Sequence, residues 1–365
     1  MAILAIQPSA IGAEPANQTK ASESKAVDLS PFFAPPPEFA GNFESYKSPL
    51  EFKDGRRAAS AEDWALRRKE ILQTWHNYLG PWPELLAMPT MEYLEEEKRD
   101  GFTQHHLKLE VAPGKKTTDA YLLKPEGKGP FPAVLVVYYD AKTGIGLGKE
   151  LRDFGSQLAK RGFVVLSLGS PPAQSRTGGE KTPLQPLSYM AYVAANCHTA
   201  LANLPEVDKE RIGVVGHSYG GKWAMFASCL YDKFACGVWS DGGVVFDEKR
   251  GNVNYWEPWY IGYEQGKARK PGIPNEANPR TGAYKRLVED GHDLHELHAL
   301  MAPRPFLVSG GAEDRPQRWQ ALNHAVAVNA VLGEKNKVAM TNRAGHAPTP
   351  ESNEQIYAFF EQVLK

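Results

Sequence analysis

One pentapeptide in the sequence has the residue types and spacing of a nucleophile: Gly216-His217-Ser218-Tyr219-Gly220, a G-x-S-x-G pattern. A serine hydroxyl attacks poorly until a neighbouring base takes its proton. Small residues two places before and after the serine permit a sharp strand-to-helix turn that presents the hydroxyl. The surroundings fit such a turn, with Ile212-Gly213-Val214-Val215 reading as the strand that enters it and Lys222 to Leu230 as the helix that leaves it. The same turn aims the Tyr219 amide at a developing oxyanion. Acyl transfer is the chemistry this predicts.

The base should be a histidine oriented by a carboxylate, and around this type of turn the chain order is serine, acid, histidine. His346 is the candidate, in Arg343-Ala344-Gly345-His346 directly after the last predicted strand. Asp314 is the first choice for the acid, because it follows the strand Phe306-Leu307-Val308 through the turn Gly310-Gly311-Ala312-Glu313. Asp241, at the end of the preceding strand, and Glu313 stay open as alternatives. A second oxyanion donor is expected from the backbone of Tyr139 or Asp140. The hydroxyls of Tyr138 and Tyr139 could contribute too, or simply form an aromatic wall. His217 reads as a packed residue of the turn rather than a second base.

Positioning these groups requires a scaffold, and its elements are visible as changes of texture. Ala61 to Leu79 has Trp64, Leu66, Ile71, Leu72, Trp75 and Leu79 at mostly helical spacing and stops at Gly80-Pro81. Strands are predicted at Gln104 to Val111 and Thr118 to Pro125, then at Ala133 to Tyr139 and Phe163 to Leu168, both near-continuous apolar runs suited to burial on two faces. Further strands are predicted at Arg211 to Gly216, at Val238-Trp239, at Pro305 to Ser309 and at Val338 to Asn342. Helices are expected at Gly148 to Arg161, at Ser188 to Leu204 and from Thr349-Pro350 to the end. This alternation predicts a mostly parallel central sheet with helices on both faces. Together with the serine turn it predicts the α/β-hydrolase fold, with residues 242–296 a long insertion before the last strands. The expected division is an exported leader and extended segment over 1–58 and a catalytic domain over 59–365.

Bulk composition narrows the function classes. A formal net charge of −1 over 365 residues gives no field to gather nucleic acid or anionic lipid. Three scattered cysteines, Cys197, Cys229 and Cys236, are too few for a disulfide framework, and no Cys/His spacing suggests a metal. Nothing calls for a cofactor. Residues 1–13 are apolar and end in small residues, as in the back half of a secretory signal, so the protein is expected to be secreted or periplasmic.

Beyond the serine turn, the chain resembles the glucuronoyl esterases of carbohydrate esterase family 15 and their acetylxylan-esterase-like relatives. The segments that carry the likeness are Ser218-Tyr219-Gly220-Gly221-Lys222, Leu230-Tyr231-Asp232-Lys233-Phe234, Asn254-Tyr255-Trp256, Asp293-Leu294-His295-Glu296-Leu297 and Ala302-Pro303-Arg304-Pro305. It departs where that family has Arg after the nucleophile and Cys before it; here stand Tyr219 and His217. The resemblance implies that Lys222 and Trp256 contact sugar hydroxyls and that His295 supports the site. It also implies a serine ester hydrolase acting on a small-molecule or polysaccharide ester, glucuronoyl or acetyl. A prolyl-oligopeptidase-type peptidase is the alternative enzyme, but only about 130 residues precede the first central strand. A gating propeller with blades of about 40 residues does not fit there. A non-catalytic binding protein on a hydrolase scaffold is the third reading.

Overall fold

The computed structural model describes residues 27–172, 176–177 and 183–365. The apolar start at 1–13 lies outside them.

Among the described residues, ten strands form one sheet. They are β1 (Met91–Arg99), β2 (Phe102–Ala112), β3 (Lys115–Thr117), β4 (Ala120–Pro125), β5 (Phe131–Tyr138), β6 (Val164–Gly169), β7 (Val207–His217), β8 (Cys236–Ser240), β9 (Phe306–Gly310) and β10 (Val338–Asn342). The order across the sheet is β1-β2-β4-β6-β5-β7-β8-β9-β10, with β3 paired to β2. From β6 to β10 neighbouring strands are parallel, while β1, β2 and β4 add an antiparallel border. This is the predicted α/β-hydrolase sheet, and its two faces carry separate cores. Along β5, Val134 and Val136 join one cluster with Phe154, Phe359 and Phe360, whereas Leu135 and Val137 join the other with Trp75, Trp223 and Phe226. A strand buried on both faces has no polar side to alternate with, hence its unbroken apolar sequence.

The helices are α1 (Ala61–Leu79), α2 (Ala141–Gly144), α3 (Phe154–Lys160), α4 (Pro186–Ala202), α5 (Tyr219–Leu230), α6 (Gly282–Glu289), α7 (His295–Ala299), α8 (Trp319–Val331) and α9 (Pro350–Leu364). Helix α1 begins where the Ser60 hydroxyl accepts the Asp63 amide at 3.2 Å and ends at Gly80, whose φ of 92° a side chain would resist. The helix expected over 148–161 is confined to α3, because Leu151 at φ 57° turns the chain out of helical geometry. Ahead of α1, Leu29, Leu50, Phe52 and Ala58 are buried against the domain.

Six of these elements were not anticipated, namely β1, β3, α2, α6, α7 and α8, and three of them show why. β1 is charged and exposed through its middle, which protects a sheet edge but leaves no apolar alternation to read. β3 is a three-residue strand. α8 is apolar over most of its circumference, so no amphipathic stripe marks it.

The segments that carry the sequence resemblance brace the scaffold. The Arg304 guanidinium donates to the carbonyls of Ser228 and Phe234, both at 2.9 Å, and Leu300 at 3.1 Å, tying α5 to the loop before β9. Glu296 accepts the Trp75 indole N–H at 2.9 Å, and Asp293 accepts the amide of Phe246 at 2.9 Å. Such partners satisfy buried polar groups that would otherwise destabilise the core.

Candidate active site

The turn at Ser218 owes its shape to its two glycines. A Cβ on Gly216 would lie 2.2 Å from the Gly220 carbonyl oxygen, and one on Gly220 would lie 2.2 Å from that of Val137. Close approach of β5, β7 and α5 therefore requires glycine at both places. Ser218 sits at φ 58°, ψ −117°, a strained conformation for a residue with a side chain. Its amide donates to the Ser240 carbonyl at 2.8 Å, which anchors it to the neighbouring strand end.

Ser218 Oγ lies 2.9 Å from His346 Nε2, and His346 Nδ1 lies 2.6 Å from Asp241 Oδ2. The structure thus brings together Ser218, His346 and one of the three candidate carboxylates. Asp314, the first choice, does not meet the imidazole. Its two oxygens accept the amides of Gly243 (2.8 Å) and Val244 (2.7 Å), and its own amide donates to Asp241 Oδ1 at 2.9 Å. Burial pushes the Asp314 carboxyl up to about 6, with the Asp241 charge adding to the shift. The Gly310-Gly311 turn has a different purpose from the one expected. A Cβ on Gly311 would sit 2.8 Å from Asp241 Oδ2, so this glycine leaves room for the Asp241 carboxylate.

Arg343 fixes the loop that carries His346. Its guanidinium donates to the carbonyls of His346, Ala347 and Ser309, each at 2.8 Å. The sequence offered it only as a basic residue three places before the histidine. His217 packs as expected: its Nδ1 lies 3.1 Å from Ser240 Oγ and its ring centroid is 4.8 Å from that of His346. Burial, reinforced by His346 and Arg343, holds His217 well below the usual histidine range, so it is neutral.

A cavity of about 350 Å³ opens over Ser218 and His346. Tyr139 and Tyr219 line it, with rings stacked at 5.1 Å, and the Arg176 guanidinium lies 4.7 Å over the Tyr219 ring. Tyr219 opens α5, so its amide is among the unpaired donors of that helix end. Lys222, Asn252, Asn254 and Glu313 add polar groups to the lining, together with Tyr260, whose ring is 5.7 Å from that of Tyr219. The two asparagines were not singled out in the sequence, and only their place in the insertion beside the site hinted at them; Tyr260 belongs to the aromatic cluster of that insertion, beside Trp259.

Lys222 lines the cavity, but its ammonium is engaged by the Gly242 carbonyl at 2.6 Å and lies over Tyr255 and Tyr260. Burial pulls it down to about 8, while Asp314, Glu313 and Asp241 limit the fall. Trp256, expected to meet sugar, is instead buried in the insertion with its indole N–H on Glu257 at 3.0 Å. A core position excludes it from ligand contact. His295, expected to support the site, binds the Lys47 carbonyl at 2.7 Å and packs on Tyr46 and His324 instead. Glu313 does not meet His346 either; it borders the cavity.

Comparison with known proteins agrees with this architecture. Residues 194–365 match the model of the prolyl oligopeptidase family, and residues 84–247 match an esterase FrsA-like model. A 4-O-methyl-glucuronoyl methylesterase of Podospora anserina is 21% identical over 351 residues, spanning 87% of this chain and 67% of that protein. Among solved structures, a glucuronoyl esterase from Solibacter usitatus superposes with a TM-score of 0.66 at 18% identity, covering 88% of this chain and 98% of its own. A CE15 glucuronoyl esterase from Teredinibacter turnerae gives 0.63 at 22% identity, covering 88% and 90%. At these identities the shared property is the fold, and the chain has the α/β-hydrolase fold in the form that those glucuronoyl esterases display.

Proposed function

We propose that the protein is a serine carboxylic-ester hydrolase that acts on ester-decorated polysaccharide through an acyl-enzyme. The observation that carries this reading is the continuous Ser218–His346–Asp241 hydrogen-bond chain at the floor of a polar cavity. Ser218 Oγ attacks the ester carbonyl as His346 Nε2 takes its proton. Asp241, fully buried, holds Nδ1–H and stabilises the imidazolium. The oxyanion falls to the Tyr219 amide at the head of α5, with the backbone of Tyr139 as the second donor. Collapse expels the alcohol, which receives the proton from His346. Water then repeats the sequence and releases the acid.

The sugar reading rests on the likeness to glucuronoyl esterases and on the hydrogen-bonding character of the cavity wall. The test is hydrolysis of benzyl glucuronate beside an acetylated sugar, p-nitrophenyl acetate and a proline-containing peptide anilide, with Ser218→Ala as control. Sugar-ester turnover abolished in Ser218→Ala is the expected result. The anilide is included because the match over 194–365 is to a peptidase family. Preferential cleavage of it would overturn the ester reading. Failure of a fluorophosphonate to label Ser218 would indicate a binding protein instead.

A further inference from the structure

Glu313 is a buried polar group beside the site that the proposed reaction does not use. Its backbone is fixed, the amide donating to Asp241 Oδ1 at 3.1 Å and the carbonyl accepting from Arg318 at 3.2 Å and 3.3 Å. Its side chain is only 4% exposed and borders the cavity over Ser218. Oε2 has no hydrogen-bond partner, and the nearest cation to Oε1 is the Arg250 guanidinium at 3.7 Å, too far for a hydrogen bond. A carboxylate oxygen withdrawn from water and left unpaired is costly unless a ligand completes it.

We infer that Glu313 accepts hydrogen bonds from hydroxyl groups of the sugar that bears the ester, and so sets specificity for a polyhydroxylated substrate; this rests on the hydrolase reading above. An ionised carboxylate only accepts, so the group it takes must donate. With Lys222 lining the same cavity and the Arg250 guanidinium 3.7 Å from Oε1, a cationic donor would meet like charge, which leaves neutral hydroxyls. Asn252 and Asn254 add amides that donate and accept, as a ring of hydroxyls requires. Ser218 and His346 border the same cavity, so the hydroxyls belong to the molecule under attack.

The experiment compares kcat/KM for benzyl glucuronate and p-nitrophenyl acetate in the wild type, Glu313→Gln and Glu313→Ala, and then repeats the sugar ester in 2-deoxy and 3-deoxy forms. The expected result is a fall of at least tenfold in the sugar-to-acetate ratio on replacing Glu313, expressed mainly in KM. At least one deoxy ester should show a similar loss in the wild type, and that loss should vanish in Glu313→Ala, which has no acceptor left. The deoxy arm needs only wild-type protein, so poor folding of a variant cannot mask the answer. An unchanged ratio, or no deoxy penalty in a wild type that cleaves the sugar ester, overturns the role of Glu313 alone. A wild type that cleaves p-nitrophenyl acetate but no sugar ester overturns the polysaccharide reading and this inference with it.

Discussion

The Asp314 amide donates to Asp241 Oδ1 at 2.9 Å, so the two carboxylates at neighbouring strand ends occupy successive layers behind His346. Asp241 faces the imidazole; Asp314 gathers the amides of Gly243 and Val244 just downstream of Asp241. Replacement should separate their tasks. Asp241→Asn is expected to lower kcat by about 10³–10⁴, because the amide favours the wrong imidazole tautomer. Asp314→Asn turns an acceptor that faces an N–H into a donor and should cost about 1–3 kcal/mol of stability, with a much smaller loss of kcat. Steady-state kinetics and urea unfolding check both; equal kcat losses would return Asp314 to candidacy as the acid.

Strain at Ser218 makes a prediction about stability alone. Ser218→Ala and Ser218→Gly both remove the hydroxyl, but only glycine relaxes at φ 58°. Ser218→Gly should therefore be the more stable of the two by about 1 kcal/mol, even after the greater entropy of glycine in the unfolded chain. Calorimetric melting of the two inactive variants measures the difference. Equal Tm values would show that the surrounding strands do not enforce the turn.

Arg343 connects to the reaction only through the loop it holds. Arg343→Lys keeps the charge, yet one ammonium cannot reproduce donation to His346, Ala347 and Ser309 together. The expected outcome is a loss of about 10- to 100-fold in kcat, since misplacing a catalytic group by an ångström has effects of that order. KM should change little. Rates of fluorophosphonate labelling at Ser218 should fall in parallel, whereas labelling at the wild-type rate would remove Arg343 from any positioning role.

Lys222 gives the alkaline prediction. Its amine is pulled down to about 8 in the folded protein, below the usual lysine value of 10.5. Between those values the unfolded chain holds a proton that the folded one has released, so this residue makes stability rise with pH from about 8 to about 10.5. Burial raises the pKa of Tyr219, Tyr255 and Tyr260 in the folded protein, which adds a pH dependence of its own, so the measure is the difference between wild type and Lys222→Met. Urea unfolding across that window should show the difference moving in favour of the wild type as pH rises. A constant difference would show that the ammonium stays charged.

The parallel strands, α1, α4 and the serine turn were legible because burial on two faces and helical periodicity are written directly in residue types. β1 was hidden because an edge strand defended by charge looks like a polar loop, and α8 because a helix buried on most sides loses its stripe. Ser218 and His346 stood out by local context. The acid did not: Asp241 and Asp314 both end strands, and which of them reaches the imidazole depends on how β8 and β9 align. The clue was present in Gly311, whose missing side chain makes room for Asp241, but it is readable only with both strands in place. Trp256 and His295 belong to segments that carry the sequence resemblance to carbohydrate esterases, and here those segments brace the domain.

Tyr139 and Tyr219 follow different strands, yet their rings are stacked and Arg176 covers the second. The loops that supply the two proposed oxyanion amides are therefore clasped by their own side chains, and a displacement of one is transmitted to the other. Water in such a pocket would have to reorient as charge builds on the substrate oxygen; dipoles held as one body need not. Variation at either tyrosine would loosen both donors together, so the two positions should evolve as a pair.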